Sequence, residues 1–390
     1  MQSARLLPAL GAVTVNFHPD AIARPGVLRI HPYQPGRPVE EIERDYGVTN
    51  ALKLASNENP LGPSPKSLLA LAGSADFSRY PDGNGFHLKE LIARRHGVDP
   101  AQITLGNGSN DVLELAARAF AGPGDQVVYS QYSFAVYALA ALGAGAEGVE
   151  VPAQNHAQDL DETLNRITPA TRLIFIANPN NPTCTWHTAD ALRNFLDRAP
   201  QHALTVVDEA YAEYMSGAAG YPDCTAAEWL ARHPNLVVTR TFSKIFGLAG
   251  LRVGYALSSA AIADLLNRIR QPFNVSAPAQ AAACAALGDG DFVARSCEVN
   301  ADGTAALCAG LAELGITPLP PAGNFVTFAT RFTADQLFEA MLHQGVIIRS
   351  LASYKMPRHV RITVGGAEDI ARCLIALRAA LAALAEADGG

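Results

Sequence analysis

The sequence has no excess of positive charge. Its 30 lysines and arginines are outnumbered by 37 aspartates and glutamates, which gives a net charge of −7 and an isoelectric point near 5.8. A protein with this balance has no general electrostatic attraction for nucleic acid or for an anionic membrane, so local arginines must hold any anionic ligand. We therefore predict no nucleic-acid partner and no membrane partner.

Cysteine is scarce, and the six cysteines are scattered, with no CxxC pair and no metal-ligand spacing. This pattern is typical of free thiols in a reducing cytosol, so we predict a cytoplasmic protein without a structural metal. Long apolar runs are lacking as well. The apolar stretch Leu6–Val13 is short, contains Pro8 and follows a single arginine, which makes a poor signal peptide and no membrane span.

What is present suits a folded enzyme. Hydrophobic residues make up 49% and charged residues 17% of the 390 positions, which argues against disorder and favours an α/β protein with more than one domain. We predict an N-terminal arm at 1–50 that joins the small domain and a dimer contact. A large domain at 51–290 and a small C-terminal domain at 291–390 follow.

In the predicted large domain, short β-branched runs alternate with helical patterns. The runs are Val127–Tyr129, Arg172–Ile176, Leu204–Val207, Leu236–Val238 and Val253–Ala256. Strands that are apolar on both faces and separated by helices indicate a mostly parallel sheet covered on both sides.

The pattern changes around Pro272–Val275, where two alanine-rich helices follow, roughly Ala277–Leu287 and Asp291–Leu314, the second of which connects the domains. The following segment is predicted to contain the strands Phe325–Phe328, Val346–Arg349 and Val360–Val364 and the helices Thr333–Gln344 and Ala367–Leu384. These elements predict a smaller α+β domain that closes over the first.

Lys244 lies in the segment Thr241-Phe242-Ser243-Lys244, after an apolar run and eight residues before Arg252. A lysine amine can condense with an aldehyde, and the hydroxyls and arginine around it can hold an anion. Pyridoxal phosphate (PLP) carries both an aldehyde and a phosphate, so this segment indicates a covalently bound PLP. The alternative is an ordinary surface lysine.

Asp208 follows the strand Leu204–Val207, at the edge where open α/β sheets bind ligands. A buried carboxylate there would pair with the protonated pyridine nitrogen of the cofactor. Asn181, in a second segment that follows a strand, and Tyr211 would donate to the phenolic oxygen of the ring. Taken singly, Asp208 could be a helix N-cap and the Asn-Pro segment a turn.

The segment Gly106–Asp111 lies between a strand and a helix and predicts a phosphate site, to which Ser109, Thr241, Ser243 and Arg252 would contribute. It lacks the third glycine of a dinucleotide fingerprint, so that interpretation is weak. The alternative is a tight turn.

Phe134 could lie against the cofactor ring, although core packing is the commoner role of a single phenylalanine. Arg349 and Arg361 follow or occupy strands of the smaller domain. Their guanidinium groups could hold a substrate carboxylate or phosphate.

Together these motifs resemble those of fold-type I PLP-dependent aminotransferases, and within them the histidinol-phosphate aminotransferase family. The resemblance covers about 53–366 through Leu54–Pro63, Arg79-Tyr80-Pro81, Asn178–Thr183, Asp208–Tyr211, Ser243-Lys244 with Arg252, and Arg361–Gly365. It implies a large domain with a mostly parallel seven-stranded sheet plus a smaller α+β domain.

The resemblance also implies roles for individual residues. Lys244 would bind the cofactor covalently and move the proton, Asp208 would pair the ring nitrogen, and Asn181 and Tyr211 would bond the phenolic oxygen. Phe134 would stack on the ring. The cofactor phosphate would be held by Ser109, Asn110, Thr241, Ser243 and Arg252, and by Tyr80 from the other subunit of a homodimer with shared active sites. The substrate would contact Arg361, Arg349, Asn324 and Asn59.

The implied reaction is a reversible transamination in histidine biosynthesis, in which L-histidinol phosphate and 2-oxoglutarate give imidazole-acetol phosphate and L-glutamate. The alternatives are an aromatic amino acid aminotransferase and a PLP-dependent decarboxylase of an amino acid phosphate. Two positions depart from the family pattern on the substrate side. Cys184 replaces the usual glycine, which predicts a shifted or strained loop, and Ser350 replaces a common acidic residue.

Overall fold

The computed structural model of the protein describes residues 18–32, 36–74, 76–215, 217–225 and 227–389. The apolar stretch at 6–13 and residues 33–35 of the N-terminal arm lie outside these ranges. Among the helices within them, none combines the length and the apolar character needed to cross a bilayer.

The strands of the described ranges are short and mostly buried. In chain order they are β1 (Leu52–Lys53), β2 (Ile103–Gly106), β3 (Gln126–Ser130), β4 (Glu147–Val151), β5 (Ala153–Gln154), β6 (Ala157–Gln158), β7 (Thr171–Ala177), β8 (Leu204–Asp208), β9 (Leu236–Thr241), β10 (Gly254–Ser258), β11 (Phe325–Ala329), β12 (Val346–Ile347), β13 (Arg349–Ser350) and β14 (His359–Thr363).

The helices precede, separate and follow these strands. They are α1 (Pro25–Leu28), α2 (Val39–Tyr46), α3 (Pro65–Ala72), α4 (Phe86–His96), α5 (Ser109–Phe120), α6 (Val136–Ala144), α7 (Leu160–Asn165), α8 (Ala189–Arg198), α9 (Ala227–Arg232), α10 (Ala260–Ile269), α11 (Ala277–Leu287), α12 (Gly290–Glu313), α13 (Ala334–His343) and α14 (Ala367–Gly389).

The main sheet has seven strands in the order β2-β10-β9-β8-β7-β3-β4. All neighbours in it are parallel except β10, which runs antiparallel to both β9 and β2. Strands β7, β8 and β9 are apolar on both sides because one hydrophobic core lies on each face of the sheet. The predicted mostly parallel, helix-covered sheet is confirmed.

A second, three-stranded antiparallel sheet has the order β11-β14-β13. It shares a separate core with α13 and α14, which includes Leu337, Val360 and Leu377. The predicted smaller α+β unit is confirmed.

The single strand predicted at Val346–Arg349 is divided. Its first half, β12, pairs in parallel with β1, so Leu52 faces Val346. Its second half, β13, pairs with β14, so Arg349 faces Arg361. Hydropathy could not predict this division because both halves are equally suited to a strand. The domain limits at 50 and 290 stay a prediction.

Candidate active site

One pocket lies where the carboxyl ends of β7, β8 and β9 meet the smaller sheet. This is the edge of an open α/β sheet at which ligands usually bind. Its wall consists of Gly36, Ala55, Ser56, Asn57, Ser109, Asn110, Phe134, Tyr137, Ala177, Pro179, Asn181, Asp208, Ala210, Tyr211, Thr241, Ser243, Lys244, Arg252, Arg349 and Arg361. Most residues predicted from the sequence are therefore brought together.

Lys244 follows β9 in a loop that turns its amine into the pocket. Its Nζ donates to the backbone oxygen of Ser56 at 3.1 Å and lies 5.6 Å from the centre of the Tyr211 ring. Burial above all, together with the positive charges of Arg361 and Arg252, lowers the pKa of this amine to about 7. A large fraction of Lys244 is therefore neutral, and so nucleophilic, near pH 7.

Asp208 is the last residue of β8, and only 6% of its surface is exposed. Its two carboxylate oxygens accept hydrogen bonds from Tyr137 Oη and Thr239 Oγ1, each at 2.9 Å. Burial raises the pKa of Asp208, while these two bonds and one from the backbone N–H of Ala210 act against the rise. The site thus holds a buried carboxylate whose orientation is fixed by its hydrogen bonds.

Sequence reasoning did not identify Tyr137 or Thr239 as part of this arrangement. Thr239 could have been found, because β8 and β9 are adjacent strands and Asp208 is in register with Thr239. Tyr137 lies in α6, and its position depends on how that helix packs on the sheet. No local pattern indicates it.

A cradle for an anion lies beside the lysine. Ser109 begins the 12-residue helix α5, and Gly108 before it has a φ of +81°. A Cβ atom on Gly108 would lie 2.3 Å from Nη2 of Arg252, so only glycine lets the guanidinium approach this turn. Arg252 Nη1 also donates to Ser243 Oγ at 3.3 Å. A helix N-terminus, an arginine and hydroxyl groups are the donors that a phosphate group needs.

Phe134, Asn181 and Tyr211 all reach the pocket. Phe134 packs edge-on against the Tyr137 ring, with centres 6.0 Å apart. The hydroxyl of Tyr211 accepts a hydrogen bond from Asn57 Nδ2 at 2.9 Å, and burial raises its pKa to about 12. Tyr211 therefore keeps its proton at neutral pH and has it available to donate.

The smaller sheet contributes two arginines. Arg349 on β13 and Arg361 on β14 are directly opposite each other across the strand pair. Arg361 donates from Nη2 to the backbone oxygen of Ala55 at 2.7 Å and from Nη1 to Asn181 Oδ1. These bonds fix the guanidinium plane of Arg361 before any substrate is present.

Three of the predicted site residues do not belong to the pocket wall. Tyr80 is 82% exposed and stacks on Phe273, with ring centres 4.6 Å apart. The Asn59 amide donates to Ile245 O and Ser296 Oγ, at 2.8 and 3.0 Å. The Asn324 amide donates to the backbone oxygen of Asn57 at 3.0 Å. Asn324 thus supports a wall residue, and the predicted substrate contacts of both asparagines stay predictions.

The two departures from the family pattern lie close to the pocket. Cys184 has a φ of +62°, a left-handed conformation that favours glycine, and it is fully buried against Tyr211 and Phe325. The strained loop that we expected from the missing glycine is present at this residue. Ser350 donates from its hydroxyl to Asp335 Oδ1 at 2.6 Å.

Comparison with known proteins agrees with this geometry. The model of the family "Aminotransferase class I and II" matches residues 49–377. This range includes every wall residue except Gly36. The chain belongs to this family. The resemblance drawn from the sequence motifs is thereby confirmed.

Relatives of this aminotransferase-family chain share about half of its residues. It is 52% identical over 365 residues to histidinol-phosphate aminotransferase 2 of Pseudomonas aeruginosa, with 93% of this chain and 98% of the relative covered. It is 50% identical over 361 residues to histidinol-phosphate aminotransferase 1 of Nitrosococcus oceani, with 92% and 97% covered.

A solved structure is also similar. The crystal structure of histidinol-phosphate aminotransferase from Sinorhizobium meliloti in complex with pyridoxal-5'-phosphate superimposes with a TM-score of 0.84. That protein is 31% identical, and the match covers 92% of this chain and 97% of the other.

Proposed function

We propose that this chain is a PLP-dependent aminotransferase and that the pocket described above holds PLP. The observation that carries the proposal is the presence, in one pocket, of a lysine amine with a pKa near 7, a buried carboxylate and an anion cradle. Each group suits a different part of PLP: the aldehyde, the ring nitrogen and the phosphate. Bound PLP supplies an electron-withdrawing ring that stabilises negative charge on the substrate Cα.

Each residue of the pocket then has a separate role toward the cofactor. Lys244 Nζ would hold the cofactor through its aldehyde and, once the amino group of the substrate has taken its place there, the freed amine would carry the proton from the substrate Cα to the cofactor side. Asp208, oriented by Tyr137 and Thr239, holds a positive charge on the ring nitrogen. Tyr211 and Asn181 bond the phenolic oxygen, and Phe134 covers the ring face.

The cradle of Ser109, Asn110, Thr241, Ser243 and Arg252 holds the cofactor phosphate. Arg361 and Arg349 would bind the anionic group of the substrate. Because Arg361 is already fixed by Ala55 and Asn181, its side chain loses little conformational entropy when the substrate binds.

For the substrates, we propose L-histidinol phosphate and 2-oxoglutarate, which give imidazole-acetol phosphate and L-glutamate in a reversible step of histidine biosynthesis. The names of the relatives with 50% and 52% identity support this choice. The arginine pair supports an anionic substrate but does not by itself select a phosphate over a carboxylate.

A half-reaction assay on the purified PLP form tests the substrate. Histidinol phosphate, phenylalanine, tyrosine and glutamate are titrated separately while the absorbance of the lysine-bound cofactor is followed. We expect histidinol phosphate and glutamate to discharge it at much lower concentrations than the aromatic amino acids. A preference for phenylalanine or tyrosine would indicate the aromatic alternative, and release of CO₂ from an amino acid phosphate would indicate a decarboxylase.

We also propose a cytoplasmic homodimer with shared active sites. Large apolar side chains are exposed at Leu69, Phe77 and Phe86, and Tyr80 stacks on the half-exposed Phe273. Exposed apolar patches of this kind mark interfaces between proteins. In this arrangement Tyr80 would reach the cofactor phosphate of the other subunit.

Mixing two inactive variants tests the shared site. Tyr80→Ala and Lys244→Ala each damage one half of a site, so a mixed dimer contains one site with both residues intact. We expect activity to return when the two variants are unfolded and refolded together. A monomer in sedimentation analysis, or no recovery on mixing, would contradict the proposal.

A further inference from the structure

A buried ion triad lies close to the active site but does not take part in it. The Arg240 guanidinium contacts Glu209 Oε2 from Nε at 2.9 Å and from Nη2 at 2.8 Å, and contacts Glu213 Oε1 from Nη1 at 3.0 Å. Arg240 and both glutamates are at least nine-tenths buried. The proposed function gives this triad no role.

The triad lies on the opposite face of the sheet from the pocket. Asp208 is in register with Thr239 across the β8–β9 pair, and both point to the pocket side. Side chains alternate along a strand, so the next residues, Glu209 and Arg240, point the other way. Arg240 and Glu213 accordingly line a second cleft with Arg95, His96 and Tyr221.

The triad is connected to the pocket through a few backbone bonds. Glu209 follows Asp208 directly, and its N–H donates to the backbone oxygen of Thr239 at 3.0 Å. Arg240 lies between Thr239, which bonds Asp208, and Thr241, which belongs to the anion cradle. A displacement of Arg240 would therefore shift the backbone of Thr239 and of Thr241.

We propose that Arg240 is a positioning residue for the reaction. By holding Glu209 and Glu213 behind the sheet, it fixes the ends of β8 and β9 so that Asp208, Thr239 and Thr241 meet the cofactor in the required arrangement. This inference rests on the proposed function.

Stability alone is a poor explanation for the triad. Replacing a buried ion cluster by apolar side chains of similar volume is often neutral or stabilising, because the desolvation of the charges offsets their attraction. What apolar packing does not supply is a directional bond that fixes one residue of β9 against one residue after β8. Burial raises the pKa of Glu209 to about 7, while Arg240 acts against the rise and favours the ionised form that makes this bond.

The test compares Arg240→Met with Val238→Ala. Val238 lies two residues earlier on the same face of β9 and is fully buried, so its truncation weakens the core without touching the triad. For each variant we would measure the melting temperature, the dissociation constant of PLP for the apo-protein, the pH dependence of the bound-cofactor absorbance, and kcat.

We expect Arg240→Met to weaken PLP binding, shift the pH midpoint of the absorbance and lower kcat by up to about 100-fold, because misplacement by about 1 Å has effects of this size. Val238→Ala should lower the melting temperature and leave PLP affinity and the midpoint near the wild-type values. If Arg240→Met matches Val238→Ala in PLP affinity and in the pH midpoint of the absorbance, the triad is only structural and the inference is wrong.

Arg240→Lys provides a second variant, which keeps the positive charge beside the two glutamates. A lysine ammonium cannot contact both glutamates with the geometry of a guanidinium, so we expect an intermediate loss of PLP affinity and kcat. An Arg240→Lys variant equal to the wild type in every measurement would overturn the inference. If the wild type itself binds no PLP, the proposed function fails, and this inference fails with it.

Discussion

The pocket has two unlike walls. The wall from the seven-stranded sheet carries Lys244, Asp208 and the anion cradle, and Asp208 and Arg252 are bonded to that sheet and to the helix and loops beside it, at Thr239, Tyr137 and Ser243. The wall from the three-stranded sheet carries Arg349 and Arg361, and Arg361 is bonded to residues of other elements, Ala55 and Asn181. The second wall therefore depends on how the two parts of the chain meet, and the first depends on it mainly at the Lys244 amine, which donates to Ser56 O.

This difference predicts that damage to the first wall affects cofactor chemistry and damage to the second affects substrate selection. The largest effect is expected for Lys244→Ala. Loss of the amine removes both the covalent attachment and the proton carrier, so kcat should fall by about 10⁴-fold or more. The absorbance of the lysine-bound cofactor should vanish.

Lys355→Ala provides a matched control, since this lysine is exposed and pairs with Glu150 outside the pocket. It should leave both turnover and absorbance intact. Retention of the absorbance band in Lys244→Ala would remove the basis of the proposed function.

A smaller loss is expected for Asp208→Asn. The amide keeps the shape of the side chain but not its charge, so kcat should fall by about 10²- to 10³-fold, the usual effect of losing one aligned electrostatic group. Tyr137→Phe removes only one bond to the carboxylate and should cost less, about tenfold. Single-turnover kinetics would rank the two variants by their loss of rate. A larger loss for Tyr137→Phe would contradict the assignment of Asp208 as the main group and Tyr137 as its support.

On the other wall, Arg361→Lys should raise the KM for the substrate that carries a phosphate or a carboxylate by about tenfold to 100-fold and should weaken PLP binding, through Asn181, by much less. Lysine keeps the charge but cannot bond the substrate, Ala55 O and Asn181 Oδ1 together. Steady-state kinetics and a PLP titration would check this. Equal losses in PLP affinity and KM would mean that the two walls are not separate.

The pH dependence of cofactor uptake should reveal the lowered pKa of Lys244. Because only the neutral amine attacks the aldehyde and its pKa is about 7, the uptake rate should rise with pH through 7 and level off above 8. At pH 6 it should be about tenfold below the plateau. A rate that keeps rising to pH 10, as for an ordinary lysine, would show that the amine is not held in the described environment.

The smallest effect is expected at Cys184, where the loop after β7 contacts β11. Cys184→Ala removes buried packing and keeps the left-handed backbone, whereas Cys184→Gly removes packing but relieves a conformation that costs about 1 kcal/mol or more. The glycine variant should therefore be more stable than the alanine variant by about 1 kcal/mol, as measured by denaturant unfolding. Greater stability of the alanine variant would show that the loop stores no strain.

The same contrast between walls explains what the sequence could predict. Asp208 and Thr241 end their strands, and Lys244 and Ser109 lie within a few residues of a strand end, so local patterns were enough to bring them to one edge. The pairing of Val346–Ile347 with β1 involves residues almost 300 positions apart and left no local signal.

The asparagines show a related limit. The resemblance implied that Asn59 and Asn324 contact the substrate, and that role stays a prediction. In the structure each amide bonds a nearby backbone oxygen, Ile245 O or Asn57 O. A sequence pattern identifies which groups are capable of bonding, but not which of the available partners they meet.

The segment 54–57 links the two walls directly. Leu54 O accepts a hydrogen bond from Thr363 N, Ala55 O accepts one from Arg361, and Asn57 N donates to Thr363 Oγ1, so this stretch follows β14 wherever that strand lies. Between them, Ser56 O is the acceptor of the Lys244 amine. A rigid-body shift of the smaller sheet would therefore move Ser56 O, the carbonyl to which the lysine amine donates, so the position of β14 sets how tightly that amine is held.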